Sequence, residues 1–207
     1  MEAEGGALQW SREHNSEFSF EKLGLLNCSR SQPDLGPPLK LQQSTVSPTE
    51  AHKFLGILVD RALRFREHVA YSLAKGTKWV AQFKRVMRPC FGLSYRLSKR
   101  LYFSIAVPSF LYAVDVFITP VQALEGRKRL YGSVGAVNKL ARVHRQALLM
   151  MTGALRTTAT DVLEAHTDIL PFRLLVDKLC QRATVRMCTL PPRHPLARHI
   201  ASASKRY

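Results

Sequence analysis

The sequence lacks the residue patterns that most enzyme chemistry requires. It contains no Asp-Asp or Asp-x-Asp pair to hold two metal ions, no G-x-x-x-x-G-K-[ST] phosphate loop, no G-x-S-x-G nucleophile turn and no H-E-x-x-H zinc motif. We therefore predict no catalytic residue, no metal site and no cofactor on this chain. The single aspartates on separate predicted elements are expected to be caps or solvated acids: Asp60, Asp115, Asp161, Asp168 and Asp177.

Cysteine is also scarce, and its spacing excludes the usual zinc sites. The four cysteines form no C-x-x-C pair, and no His pair lies beside them at zinc spacing. We expect reduced, partly buried thiols in an intracellular protein, with cytoplasm and nucleus both left open. The positions are Cys28, Cys90, Cys180 and Cys188.

No segment indicates export or membrane insertion. The N-terminus is acidic and lacks the apolar stretch of a signal peptide. The longest apolar stretch, residues 105–118, contains Pro108 and Asp115 and is too short to span a bilayer. We predict neither a membrane partner nor a small-molecule substrate.

Acidic residues become rare after Asp60. The net charge is +16, from 31 basic and 15 acidic residues. Residues 1–60 hold five basic and eight acidic residues, residues 61–102 hold eleven and one, and residues 103–207 hold fifteen and six. This asymmetry favours a polyanionic partner, most simply nucleic acid, because neutralising phosphates releases counterions. An anionic membrane surface is the competing partner for such charge.

Hydrophobic periodicity predicts an α+β fold: a small β-hairpin region followed by a mainly helical bundle. The hydrophobic fraction of 46% is sufficient for a core. Before residue 61, the patterns predict a helix within 1–17 and strands at 18–26, 39–41 and 53–59. A helix follows to Met87, before Pro89, with an apolar face of Phe65, Val69, Leu73, Gly76, Val80, Phe83 and Met87.

Further helices are predicted along the rest of the chain. The second covers 94–117 with a kink at Pro108 and a buried later half, and a polar link follows at 119–133. The third covers 134–151 and stops at Gly153. A short helix begins at Thr160 with a capping box between Thr160 or Asp161 and Glu164, and the last covers 171–190 before a frayed tail.

Six basic residues on the first two long helices are candidate phosphate contacts. They are Lys75, Lys78, Arg85, Arg96, Lys99 and Arg100. A solvated helix face is the alternative interpretation. Three rings on these helices could stack on bases, although burial in the core is the expected outcome: Trp79, Tyr95 and Tyr102.

Four blocks follow one another along the chain, at residues 5–26, 53–69, 100–117 and 152–196. In this order they resemble the C-terminal part of reverse transcriptases from non-LTR (LINE-type) retrotransposons, especially fungal ones. "GGALQWSREHNSEFSFEKLGLL" resembles the palm edge that follows the catalytic Asp-Asp hairpin, and "KFLGILVDRALRFREHV" resembles the primer-grip hairpin. "RLYFSIAVPSFLYAVDVF" resembles the thumb helix. The segment from Thr152 to Leu196, with Arg156-Thr157-Thr158, resembles the connection before a ribonuclease H domain.

The resemblance implies three regions and several residue roles. Residues 1–60 would be the palm-edge and primer-grip remnant, 61–153 a thumb-like basic bundle, and 154–207 the connection with a frayed tail. Phe54, Leu55 and Gly56 would contact a primer backbone, although packing of this apolar strand is the favoured role. Lys22 matches a palm lysine near the incoming triphosphate, although a solvated strand lysine is the favoured interpretation. The Arg156-Thr157-Thr158 segment is expected to be a helix-linking turn with threonine caps.

Three functions remain open on the sequence. The first is a non-catalytic fragment that at most binds RNA or a primer–template duplex without sequence preference. The second is a piece of a truncated gene model whose full-length product is an RNA-directed DNA polymerase. The third is a scaffold that docks a protein through an uncovered apolar face.

Overall fold

The computed structural model describes residues 4–19, 22–28, 35–41, 44–87, 92–123, 126 and 129–204. The chain separates into two compact units, residues 1–68 and residues 69–207. Two-stranded sheets and helices are both present, and helix predominates after residue 65, so the predicted α+β class is confirmed. The three-region division remains a prediction.

The described residues of the first unit form one short helix and two pairs of antiparallel strands, of which the second is a hairpin. In this hairpin, Ala51 pairs with Asp60 and Phe54 with Ile57, which leaves a two-residue turn. The single strand predicted over 53–59 is therefore two strands joined by this turn. The elements are α1 (Ala7–Glu13), β1 (Leu39–Leu41), β2 (Ser44–Val46), β3 (Ala51–Phe54) and β4 (Ile57–Asp60).

The strand predicted at 18–26 is wrong for its described residues. Only Leu25 forms a β-bridge, with Pro48, and its carbonyl accepts hydrogen bonds from the Thr49 backbone and hydroxyl. Gly24 lies against the His52 ring so closely that a Cβ atom would stand 2.1 Å from it. The segment is therefore held by single contacts with residues 48–52 rather than by a ladder. Phe20 and Glu21 lie outside the described residues.

The second unit is a helical bundle with a continuous apolar core. Its largest fully buried side chains include Tyr102, Phe110, Leu140, Leu148 and Leu163. The elements are α2 (Arg66–Val86, of which the first three residues belong to the first unit), α3 (Tyr95–Leu101), a π-helical turn (Tyr102–Ala106), α4 (Val107–Phe110), α5 (Val114–Phe117), β5 (Gln122–Ala123), β6 (Leu130–Tyr131), α6 (Val134–Thr152), α7 (Thr160–His166), α8 (Phe172–Cys188) and α9 (Ala197–Ser204).

The long helix predicted over 94–117 is broken into four pieces. Pro108 has no N–H to bond the carbonyl of Ser104, and the wider π-helical turn immediately precedes it. Ala113 then adopts a left-handed conformation, with φ of 55°, between α4 and α5. The prediction of burial holds on one side only: Phe110 and Val114 are buried, whereas Tyr112 is exposed.

The later helices follow the predicted pattern more closely. Helix α6 ends at Gly153, which takes the predicted left-handed conformation with φ of 65°. The capping box at α7 is wrong, because the N-cap is Ala159 and Glu164 accepts a hydrogen bond from the Phe172 backbone N–H at 3.2 Å. Helix α9 was not predicted, and β5 and β6 lie within the predicted polar link.

Candidate nucleic-acid interface

The tip of the β3–β4 hairpin carries two exposed apolar side chains. Phe54 is 64% exposed and Leu55 is 74% exposed, so neither shows the packing favoured from the sequence. Leu55 and Gly56 both have positive φ, 46° and 86°, as the tight turns that match the twist of hairpin strands require. The three residues assigned to primer contact therefore form one projecting loop.

Asp60 and His68 connect this hairpin to the start of α2. The Asp60 carboxylate accepts hydrogen bonds from the backbone N–H groups of Arg64 at 3.0 Å and Phe65 at 2.5 Å, immediately before the helix. Nδ1 of the buried His68 accepts the Leu58 backbone N–H at 3.1 Å. This N–H points away from β3, because Leu58 faces Lys53 in a pair that exchanges no ladder bonds. The Asp60 carboxylate therefore fixes the loop between β4 and α2, and it is neither the helix cap nor the solvated acid expected from the sequence.

Replacing Asp60 should loosen this junction. Asp60→Ala removes the acceptor for two backbone N–H groups, and we expect a loss of about 1–2 kcal/mol of stability. Asp60→Asn keeps an acceptor oxygen and should lose less. Urea unfolding combined with limited proteolysis between β4 and α2 would measure both variants. Equal stability of the alanine variant and the natural protein would show that these two hydrogen bonds do not stabilise the junction.

The six predicted phosphate contacts have different surroundings. Lys78 and Arg85 are exposed and, being seven residues apart, share the outer side of α2. Arg96 and Arg100 are exposed on α3. The Lys75 ammonium lies 4.7 Å from the centre of the Tyr71 ring, a cation–π contact. Four of the six thus present their charge directly to solvent.

Lys99 has a structural role, because its ammonium is bound by residues at the end of another helix. Its ammonium donates to the carbonyl oxygens of Thr167 at 3.0 Å and Asp168 at 2.6 Å, and to the Asp168 carboxylate at 3.1 Å. These carbonyls lie at the C-terminal end of α7, where the helix dipole favours a cation. Lys99 therefore joins α3 to α7.

The three candidate stacking rings are largely occupied by contacts within the protein. Trp79 and Tyr102 are buried, and their ring centres lie 5.9 Å apart in an edge-on arrangement. Tyr95 is 39% exposed, and its hydroxyl donates to the Thr167 carbonyl. The burial expected from the sequence holds for Trp79 and Tyr102. Lys22 is an exposed lysine whose backbone N–H donates to Ser19.

A basic stripe on α8 was missed by the sequence reasoning. Lys178, Arg182 and Arg186 recur every four residues and are all exposed. They line a groove together with residues of the segment that runs from the π-helical turn to α5. The four-residue spacing of these basic residues could have indicated the stripe. It was overlooked because basic residues occur throughout this part of the chain.

A buried polar cluster joins the π-helical turn, α6 and α7. The Tyr102 hydroxyl lies 2.6 Å from His144 Nδ1, and His144 Nε2 lies 3.3 Å from a Glu164 carboxylate oxygen. Burial lowers the pKa of His144 to about 4 and raises the pKa of both Tyr102 and Glu164. At neutral pH the imidazole is uncharged, so Tyr102 donates to Nδ1, while the buried Nε2 lies near Glu164 without a hydrogen-bond partner among the described residues.

The Arg156-Thr157-Thr158 segment is a turn, as predicted, and Arg145 of α6 holds it. The guanidinium donates to the carbonyl oxygens of Arg156 at 2.8 Å and Thr158 at 2.7 Å, and to the Thr160 hydroxyl at 2.6 Å. The turn is thus fixed by an arginine outside the motif rather than by threonine caps.

The described residues show few other site-forming groups. Within them, His, Cys, Asp and Glu form no group of three or more that could hold a metal ion. No helix in the described part of the chain is long and apolar enough to cross a bilayer. Cys180 is buried and Cys28 and Cys188 are exposed free thiols, while Cys90 and Pro89 lie outside the described residues.

Comparison with known proteins relates the chain to retrotransposons. Over 138 residues it is 28% identical to the retrovirus-related Pol polyprotein from type-1 retrotransposable element R1 of Bradysia coprophila. The match covers 67% of this chain and 13% of that protein, so the chain spans only a small part of the relative's length. No family model and no solved structure matches. The similarity supports a retrotransposon-related protein.

Proposed function

We propose that the chain is a non-catalytic, retrotransposon-derived fragment of reverse-transcriptase type that binds RNA or primer–template duplex without sequence preference. Its parts would be the palm edge, the primer-grip hairpin, the thumb and the connection of a fungal-like element. The similarity to an R1 Pol polyprotein supports this origin. The four collinear blocks in the sequence supply the finer assignment.

The observation that carries the binding proposal is the unbalanced positive charge on exposed helix surfaces. Residues 61–102 hold eleven basic residues and one acidic residue. Lys78, Arg85, Arg96 and Arg100 from this segment are exposed. A backbone-directed interface needs lysines and arginines that reach phosphates, and it needs no base-specific contacts.

A titration with labelled RNA–DNA duplex tests this function. If about four phosphates are contacted, affinity should fall by about a hundredfold between roughly 50 and 200 mM salt. Replacing Lys78, Arg85, Arg96 and Arg100 together by glutamine should weaken binding by about tenfold and flatten the salt dependence. Fluorescence anisotropy at several salt concentrations measures both effects.

A matched variant separates local contacts from total charge. Glutamine at Lys139, Arg142, Arg193 and Arg198 removes the same charge from other exposed positions and should leave most of the affinity. Equal losses in both variants would show that only net charge matters. Undetectable or salt-independent binding by the natural chain would refute the proposal.

A second candidate is that the sequence is one part of a longer RNA-directed DNA polymerase. The similarity to 13% of a Pol polyprotein favours it. Reading the genomic sequence upstream of Met1 for an in-frame Tyr-x-Asp-Asp motif is the direct test. Absence of that motif from every upstream reading frame would refute this candidate.

A further inference from the structure

A groove of about 700 Å³ in the helical unit combines basic, apolar and aromatic walls. It lies between α8 and the segment that runs from the π-helical turn to α5. Apolar side chains including Val107, Leu111 and Leu175 line it. One wall is the stripe of Lys178, Arg182 and Arg186 on α8. With 1.5 Å rise per residue, this stripe places three positive charges along about 12 Å.

Two exposed rings also line the groove. Phe103 is 39% exposed and Tyr112 is 48% exposed, although the surrounding core is tightly buried. Aromatic rings beside a cationic wall are the combination with which proteins hold unpaired nucleic-acid strands, because every base offers a flat face. Bases in a duplex already stack on one another, so these rings could serve only a single strand.

The acidic residues in the groove do not cancel this character. Asp168 forms an ion pair with Lys99 at 3.1 Å, which offsets its charge locally. Asp115 is half-buried in the first turn of α5. Three basic side chains therefore line the groove. Among the described contacts, Asp115 is the one acidic residue of the lining that has no lysine at ion-pair distance. The net positive field of the groove therefore favours a polyanion over a neutral ligand.

We propose that this groove binds a single-stranded nucleic acid, with phosphates along α8 and bases stacked on Phe103 and Tyr112. The inference rests on the proposed affinity for nucleic acid and adds a second surface, distinct from the duplex-binding residues on α2 and α3. Binding here is independent of sequence, since the groove offers stacking and charge. A strand leaving a duplex could thus be held by the same unit.

Anisotropy with labelled oligouridylate of about 12 nucleotides tests the groove. Replacing Lys178, Arg182 and Arg186 by glutamine should weaken single-strand binding by about tenfold and reduce the salt slope by about two. Replacing Phe103 and Tyr112 by leucine should weaken it by about tenfold with an unchanged salt slope. Both variants should keep duplex affinity within about twofold.

A matched control and a stacking reporter make the result specific. Glutamine at Lys139, Arg142 and Arg173 removes three exposed charges that lie outside the groove lining and should leave single-strand affinity nearly unchanged. A 2-aminopurine base in the oligonucleotide should be quenched by the natural protein and not by the leucine variant. Circular dichroism melting of every variant confirms that the fold is retained.

The outcomes separate this inference from the function on which it rests. Duplex binding with single-strand binding that survives both groove variants would overturn the groove and leave the proposed function standing. Absence of binding to either nucleic acid would overturn both. Saturable binding of an acidic amphipathic peptide, lost in both groove variants while oligouridylate binding persists, would assign the groove to a protein partner instead.

Discussion

Acidification from about pH 7 to about pH 4 should destabilise the helical unit through His144 by on the order of 3 kcal/mol. Burial lowers the pKa of this imidazole from 6.5 to about 4. Between these values the unfolded chain takes up a proton at His144 and the folded chain does not. Stability from this group is therefore fully present above pH 6.5 and is lost as the pH falls toward 4.

The groups that face His144 modify this expectation in known directions. The raised pKa of Glu164 has the opposite effect, because the folded carboxyl takes up its proton at a higher pH than the unfolded one. Tyr102 keeps its proton throughout, since burial raises its pKa. His144 should still dominate, because it is more deeply buried than Glu164.

Urea unfolding at several pH values, with His144→Gln for comparison, measures the contribution of His144. The glutamine side chain can accept a hydrogen bond from the Tyr102 hydroxyl and donate one to the Glu164 carboxylate, and it does not titrate. The stability of the His144→Gln variant should therefore vary less between pH 6.5 and 4. Tyr102→Phe serves as a second variant: it removes the hydroxyl at 2.6 Å and should cost about 1–3 kcal/mol at neutral pH. Parallel pH profiles for the natural protein and His144→Gln would contradict the assignment.

Gly76→Val should destabilise the bundle by about 3 kcal/mol. A Cβ atom at Gly76 would lie 2.9 Å from Val143 Cγ1 and 3.4 Å from Phe110 Cβ, in the packing between α2 and α6. Branched methyl groups at this point would force the two helices apart, because Phe110 and Val143 are both almost fully buried. Thermal or urea unfolding reports the loss.

Gly135 provides the control for Gly76. It also lies in a helix, α6, but nothing stands within 4 Å of a Cβ atom there. Gly135→Ala should leave stability unchanged or raise it by up to about 1 kcal/mol, since alanine favours helix more than glycine does. Destabilisation of similar size at both glycines would show that close packing at Gly76 is not the cause.

Long amphipathic helices were the part of the fold that the sequence predicted best. Helices α2, α6 and α8 each bury a face over many turns, and such repetition is visible in the spacing of apolar residues. The predicted face of α2 was correct at Val69, Gly76 and Phe83. Burial of Ser72 was missed, and Trp79 was expected to be buried without being placed on that face, because the stripe that packing buries is wider than one apolar row.

Short elements escaped prediction because their conformation depends on partners elsewhere in the chain. Strands β5 and β6 have two residues each and exist only through their mutual pairing. The turn at Leu55-Gly56 needs positive φ at a leucine, which no local preference indicates. The helix over 94–117 failed for a related reason, since it breaks at Ala113, although alanine is a good helix former, and no local pattern marks the π-helical turn.

The sequence predicted the sign of the charge at the candidate interface, but not which basic residues are available to a ligand. Counting charges along the chain identified the basic segment after Asp60. The count could not show that Lys99 is bound by the end of α7, or that Lys178, Arg182 and Arg186 form one wall of a groove. Which lysine is available to a phosphate depends on tertiary contacts that bring residues about 70 positions apart together, as between Lys99 and Asp168.

The π-helical turn Tyr102–Ala106 holds one residue more than an α-helical turn needs. Loss of a single codon at the exposed Ser104 would remove this extra residue while Tyr102 and Phe110 still face the core. The same loss inside α6 would rotate every later side chain by about 100° and turn its apolar face outward. Deletion of a single residue should therefore be tolerated better at this turn than inside α6.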